Sequence, residues 1–505
     1  MARLPVYQNK QPTGGVLEHS FIISEALRNG LSPDPRMPRN SPFLESMSNL
    51  RASEFGLVSP EAITNPITSG PTPNWGSAGT TQMFMGENGR WVAGQTTLYT
   101  ANSSWVASST GITYTAGGPW QAVIFQELPF FTNGTSLIYF AVGTGYTVLD
   151  SSDGIVIPAV GRHENRLLLG GLTGTALSHD IFTAMFQKWK DTHEGDRISY
   201  STQAFDTGWV IFGERGGGAS DRPFEAILSL LNAYGTNPRA DMNGYLESQL
   251  ELGNWGMARM RYTGSIMAFH ELGDATLVFG QNGVSRLARD GNIYYDVRLH
   301  PIGIPGRGCV GGDLYQCLFL DATRNIWTVD PGGAPVRHRM GHNLSDLTLA
   351  DVTVSFDPVE RNYWISDKAR GFLFDANGKL SGPFEVFPSS LVRDGASLYG
   401  VVRDTRADPT TTAVSFKTLP FDIGERANKH FPTAQVSREN ITAMKLGFDY
   451  RYDDATAFRS GGLSSAHQSG SVHFMPTISA VDVKLRMTGS VANNKTAVID
   501  RIRVQ

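Results

Sequence analysis

Two cysteines in 505 residues, Cys309 and Cys317, are too few for a disulfide-stapled scaffold or a four-cysteine zinc site, and both thiols are expected to be reduced. Charge is scarce too. Asp, Glu, Lys and Arg make up 18% of the chain, and 43 basic against 47 acidic residues leave a net charge of -4. A protein that grips nucleic acid by charge carries a basic excess, and this chain has none. No run reaches the roughly 18 apolar residues that cross a bilayer as a helix. The opening stretch MARLPVYQNKQPTGG also has no uninterrupted apolar segment behind a positive one. Neither membrane insertion nor an export signal is expected.

What is abundant is turn chemistry, with 55 glycines and 26 prolines. Eight of the prolines (Pro33, Pro35, Pro38, Pro42, Pro60, Pro66, Pro71 and Pro73) fall in a 41-residue window. Each fixes its own φ and pushes the residue before it toward extended backbone, so residues 1–75 read as an N-terminal arm. Within it, Val16 to Asn29 followed by Gly30 fits one short helix with a glycine cap.

From about Gly76 onward short β-branched and aromatic runs alternate with Gly, Asn, Asp and Ser, as in QAVIFQE (121–127) and SLIYFAV (136–142). Asn133-Gly134, Asp153-Gly154, Asn282-Gly283, Asp290-Gly291 and Asn377-Gly378 are dipeptides that tolerate the positive φ of hairpin turns. Three stretches, 274–291, 316–333 and 361–378, share a strand, a polar turn and a second strand. Aligning their second strands superposes Arg286, Trp327 and Phe372, at spacings of 41 and 45 residues. A four-stranded propeller blade repeats at roughly 40 to 45 residues. NRLLLGG (165–171) with TALSHD (175–180) fits the same plan. The Gly-His and Trp-Asp signature of WD40 blades is absent. The fold expected is all-β, a β-propeller-like body over residues 76–479 with an extended N-terminal arm and a short helical insertion.

Two segments have helical period instead. HDIFTAMFQKWKD (179–191) places Phe182, Met185, Phe186 and Trp189 on one face. DRPFEAILSLLNAYG (221–235) places Phe224, Ile227, Leu228 and Leu231 together, with Pro223 in the first turn and Gly235 beyond the end. The second follows the hinge-like GERGGGAS, so residues 214–255 read as an insertion from the propeller rim. Its apolar face either packs on its own blade or is an interface between subunits. The C-terminal residues 480–505 alternate apolar and polar positions over AVDVKLRM and TAVIDRIRV. They read as a β-hairpin with a solvated face carrying Lys484, Arg486, Arg501 and Arg503 beside Asp482 and Asp500.

No catalytic constellation emerges, and no enzyme activity, cofactor or metal site is expected. GERGGGAS lacks the Lys-Ser/Thr of a phosphate loop, and GLSSA (462–466) lacks the closing glycine of a nucleophile elbow. His338 and His342 are four apart, but in VRHRMGHN, whose glycine and asparagine oppose the helix that would aim both at one metal. Asp453-Asp454 has no matching acid at a readable distance.

The blade-like units, DRISYS (196–201), GSIMAFHELGDATLVFGQNGVSRL (264–287) and the ending ISAVDVKLRMTGSVANNKTAVIDRIRVQ together resemble the tail hub, or packaged-DNA stabilisation, proteins of short-tailed bacteriophages. Ile266, Ala268, Phe269, Asp274, Leu277, Val278, Phe279 and Gly280 match that family's strand motif, and the resemblance covers roughly residues 160 to 505. The arm and the 214–255 insertion depart from the pattern. The resemblance implies a propeller subunit of a six-fold nozzle ring that continues the DNA channel below the portal and adaptor, made in the host cytoplasm and carried in the virion tail. The partners implied are further copies of the chain, adaptor or head-to-tail connector proteins, and tail fibre or tailspike and tail needle or distal tail proteins. Double-stranded DNA would pass without sequence recognition. The alternative reading is a propeller that binds or degrades bacterial surface glycans, which requires carboxylates and aromatics converging at the propeller mouth.

Overall fold

The computed structural model describes residues 25–34, 36–38, 41–61, 63–64, 81–87, 89–125, 127–141, 145–178, 180–193, 203–214, 250, 254–290, 293–406, 410–422, 429–430, 434–451, 457–461, 463, 471–472, 477–478, 482–492, 495–496 and 498–504. Among them, six four-stranded antiparallel sheets follow one another along the chain: blade 1 (82–113), blade 2 (121–149), blade 3 (159–259), blade 4 (266–300), blade 5 (310–338) and blade 6 (353–384). A two-stranded seventh pairs Val386–Asp394 with Ser397–Asp404. The chain is an all-β, β-propeller-like protein. It divides into a propeller unit, residues 62–371 with 387–403, and a chain-end unit, residues 1–61, 372–386 and 404–505.

Short turns set the blades. Asn282-Gly283 and Asn133-Gly134 join the second and third strands of blades 4 and 2, and Asn377-Gly378 joins the last two strands of blade 6. Asp153-Gly154 instead closes a 3-10 turn on the path to blade 3, with Gly154 at φ +76°. The aligned repeats are the second and third strands of blades 4, 5 and 6. The fourth repeat is corrected. Thr175–Ser178 is a 3-10 turn, and the true partner of Arg166–Gly170 is Trp209–Glu214, because a helix intervenes before the chain returns to the sheet. That helix, Asp180–Thr192, buries Phe182, Met185, Phe186 and Trp189. The Phe186 and Trp189 rings meet Trp209 of blade 3 edge-on at 5.0 and 5.6 Å. Each such buried side chain contributes roughly 1.5–3 kcal/mol. Gly213 lies opposite Trp255, so residues 215–254 leave and rejoin blade 3 at one hairpin.

The ring closes between blades 7 and 1. The Met83 amide donates to Ser390 Oγ at 2.9 Å, Arg90 pairs with Asp394 at 2.7 Å, and Trp105 Nε1 donates to the same carboxylate at 3.0 Å. The Trp105 ring, fully buried, lies against Tyr399. On the other flank Arg393 pairs with Asp357 of blade 6 and Ser355 Oγ donates to the Ser389 carbonyl. Thr64 joins this closure from the N-terminal side. Its amide donates to the Leu398 carbonyl and its carbonyl accepts from Gly400, both at 3.0 Å, in parallel register with Tyr399.

The chain-end unit holds two larger sheets. One orders Leu44–Ser48, Thr411–Thr418, Asp482–Ala492, Ile441–Arg451 and Arg459–Ser460; the other orders Arg51–Ser53, Gly56–Val58, Val498–Val504, Ala434–Glu439 and Ser471–Val472. Three expectations change here. The described part of residues 1–75 is not a separate arm, since Met47 pairs with Phe416 and Leu57 with Ile499. Residues 480–505 are not a hairpin: the two alternating strands lie in different sheets, each edge taken by a distant strand. Nor is the charged face of the first strand simply solvated. Asp482 is 0% exposed and paired with Arg451, Lys484 pairs with Glu45 and lies 4.2 Å over the Phe458 ring, and Lys417 bridges to Asp449 at 3.1 Å. The opposite face, Val483, Leu485 and Met487, is fully buried. Residues 25–29 are helical and Gly30, at φ +73°, returns its amide to the Ala26 carbonyl, the glycine cap expected there; residues 16–24 lie outside the described residues.

Candidate functional site at the propeller axis

The first strand of each blade lines the inside of the ring. Gln121–Phe125 abuts Ala159–His163, which abuts Ile266–Leu272, and Val310–Gly312 abuts Thr353–Asp357. The segments that enter these strands therefore gather at one end of the axis. Blades 2 and 5 stand on nearly opposite sides of a seven-membered ring, yet their entry segments touch. A methyl group at Gly308 would lie 2.8 Å from Pro119, and one at Gly118 would lie 3.6 Å from Cδ of Arg307. Gly306 packs against Leu349 and Ala350 at the entry to blade 6. Gln121 Nε2 donates to the Met267 carbonyl at 3.0 Å, tying the inner strands of blades 2 and 4 past blade 3. This end of the axis is closed by protein.

Acidic and amide side chains around the blades are spent on turns and ion pairs. Asn133 of blade 2, Asp321 of blade 5 and Asp367 of blade 6 each cap the turn between second and third strands by accepting backbone amides. Asp321, 0% exposed, also accepts from Trp327 Nε1 at 2.8 Å and faces His300 Nε2 at 3.6 Å. Burial pushes its carboxyl up, but the facing His300 ring and the bonds from Thr323, Trp327 and Asn325 outweigh that and hold it well below the usual carboxylate range. Arg166, lying over the contacting rings of Phe212 and Tyr294, pairs with Glu214, and Arg162 pairs with Glu271. Among the described residues no three His, Cys, Asp or Glu side chains are placed to hold a metal ion. His338 lies in a strand bonded to Thr328 and His342 in a 3-10 turn, so the pair shares no helix face. Phe224, Ile227, Leu228, Leu231, Asp453 and Asp454 lie outside the described residues.

Arg307 escaped the sequence reading. Its signal was present: an arginine between two glycines in GIPGRGC, whose nearest acids in the chain are Asp296 and Asp313. The Asp321 network escaped because its histidine stands at the end of the preceding blade rather than in a Gly-His pair.

Fold and site together define a propeller whose seven sheets surround an axis closed at one end, with polar side chains committed to holding the blades. No protein-family model and no curated protein matches the sequence. Solved structures similar to it include a quinonprotein alcohol dehydrogenase-like protein of Bacteroides thetaiotaomicron, at 9% identity and TM-score 0.32 over 65% of this chain and 68% of that one. AztD of Citrobacter koseri is similar at 9% and 0.31 over 82% and 90%, and Hsv2p of Kluyveromyces lactis at 8% and 0.30 over 65% and 86%. Likenesses this distant lend no argument about activity, and the fold rests on the strand pairing of the chain itself.

Proposed function

We propose that this chain is a structural virion protein, a subunit of the tail hub or nozzle ring of a short-tailed bacteriophage, which continues the DNA channel below the portal and adaptor and helps retain and then release packaged DNA. The observation that supports the reading is the closed axis. Pro119 against Gly308, and Gln121 bonded to Met267, leave no path for a duplex through one propeller. A channel for DNA is then bounded by several copies of the chain, each a rigid wall. A near-neutral charge suits such a wall, because every phosphate contact would add friction to ejection. Connector, fibre and needle proteins would dock on the outer surfaces.

Electron microscopy of the purified protein, and of virions labelled with antibody against it, tests the proposal. Rings of copies and label at the tail are expected; isolated particles and unlabelled tails refute it. Release of sugar from host lipopolysaccharide by the purified protein would favour the glycan reading instead. Changing Leu228 and Leu231 to Asp separates the roles of the 214–255 insertion. A folded monomer that no longer joins tails makes this face the ring contact, whereas failure to fold assigns it to the subunit core.

A further inference from the structure

Among the described residues, several guanidinium groups that are wholly or largely withdrawn from solvent have partners. Arg166 meets Glu214 and Tyr294, Arg393 meets Asp357, and Arg451 meets Asp482. At Arg307, Nε, Nη1 and Nη2 are all buried and none has a hydrogen-bond partner. The group is covered by backbone at two turns. Gly118 lies over its stem, and Gly134, at φ +91°, sits where any side chain would collide with Nη1. Burial lowers the Arg307 pKa to about 9, and no neighbouring carboxylate raises it. The group still carries its charge at neutral pH, and an unpaired buried charge is strongly destabilising.

A second orphan stands on the strand that leaves the first turn, opposite Thr132 at the start of the second. Gln121, three residues beyond Gly118, donates from Nε2 to Met267, which fixes the orientation of its amide and leaves Oε1 buried without a donor. The closed end of the axis therefore holds a fork of unused donors with a full positive charge and one unused acceptor. A carboxylate or sulfate ion answers the fork alone. Hydrogen phosphate answers both, because its bare oxygens accept from the guanidinium and its hydroxyl donates to the amide oxygen. We propose that Arg307 and Gln121 form a binding site for a hydrogen phosphate ion at the closed end of the propeller axis, entered by parting of the Gly117–Gly118 and Asn133–Gly134 turns. The site stands apart from the assembly role argued above, and its failure would leave that role untouched.

The test uses the full chain at pH 7 and constant ionic strength, with inorganic phosphate and sulfate as probes, read by thermal unfolding and by titration calorimetry. Phosphate is expected to raise the midpoint of the native protein in a saturable way and to do so more than sulfate. Arg307→Met should abolish the phosphate response. Arg307→Lys, which keeps the charge but loses the fork, should weaken phosphate binding about tenfold or more, and it carries the test if the methionine variant does not fold. Gln121→Leu should bring phosphate down to the level of sulfate. A native protein indifferent to phosphate at tens of millimolar, or an equal response in native and Arg307→Lys proteins, would overturn the site.

Discussion

In the propeller, the partner of a strand is nearly always its neighbour in the chain: Ala275–Gly280 pairs with Val284–Asp290 across a three-residue turn. In the chain-end unit, Met47 lies opposite Phe416, Leu57 opposite Ile499, and Ile441 opposite Val491. Both regions are antiparallel β, yet one is wired by turns and the other by long-range pairing. Local pairing costs little loop entropy, whereas these long-range pairs close loops of about 50 to 440 residues before any ladder bond repays the closure. The propeller blades should therefore form first and the chain-end sheets last.

Several substitutions would break or sharpen that contrast. The largest effect is expected from Trp209→Ala, which empties a fully buried site among Phe186, Trp189 and Phe205 and should cost about 3–5 kcal/mol in urea unfolding. If the two units unfold separately, only the propeller transition moves; a single shifted transition would merge them into one cooperative body. Next, Asp482→Ala leaves Arg451 without its carboxylate and should cost about 3 kcal/mol, read in the chain-end transition. Asp321→Asn should cost about 2 kcal/mol at pH 7, since a neutral amide replaces a carboxylate that accepts five hydrogen bonds. Because the folded carboxyl titrates below its unfolded value, its contribution is complete above the ordinary carboxylate range and lost as pH falls through and below it. The deficit of the variant should accordingly shrink toward pH 2; a constant deficit refutes the charge-based account. The smallest effect belongs to Thr64→Pro, which removes the donor to Leu398 and should cost about 1 kcal/mol, seen as faster amide exchange at Gly400.

The same contrast explains how far the sequence could be read. Blade hairpins were legible because Asn282-Gly283 and Asn133-Gly134 announce turns, and the helix at Asp180–Thr192 because its apolar residues keep helical spacing. TALSHD misled because an apolar pair after a strand looks the same whether the chain turns back or leaves for a helix. AVDVKLRM and TAVIDRIRV were rightly strands, but alternation says which face is buried and nothing about which strand lies alongside. Arg307 is different: GIPGRGC shows an arginine with no acid close by in the chain, but whether it lacks a partner is decided only when distant turns such as Asn133-Gly134 close over it.

The pairing of Leu44–Val58 with strands beyond residue 410 also has a meaning in time. These N-terminal strands leave the ribosome roughly 370 to 440 residues ahead of their partners, and at about 5–20 residues per second they wait some 20 to 90 seconds. Throughout that interval their edges are open templates for any other nascent strand, while blade after blade closes behind them. A chain truncated near residue 405 would stay in that waiting state, soluble in its propeller and adhesive at its start.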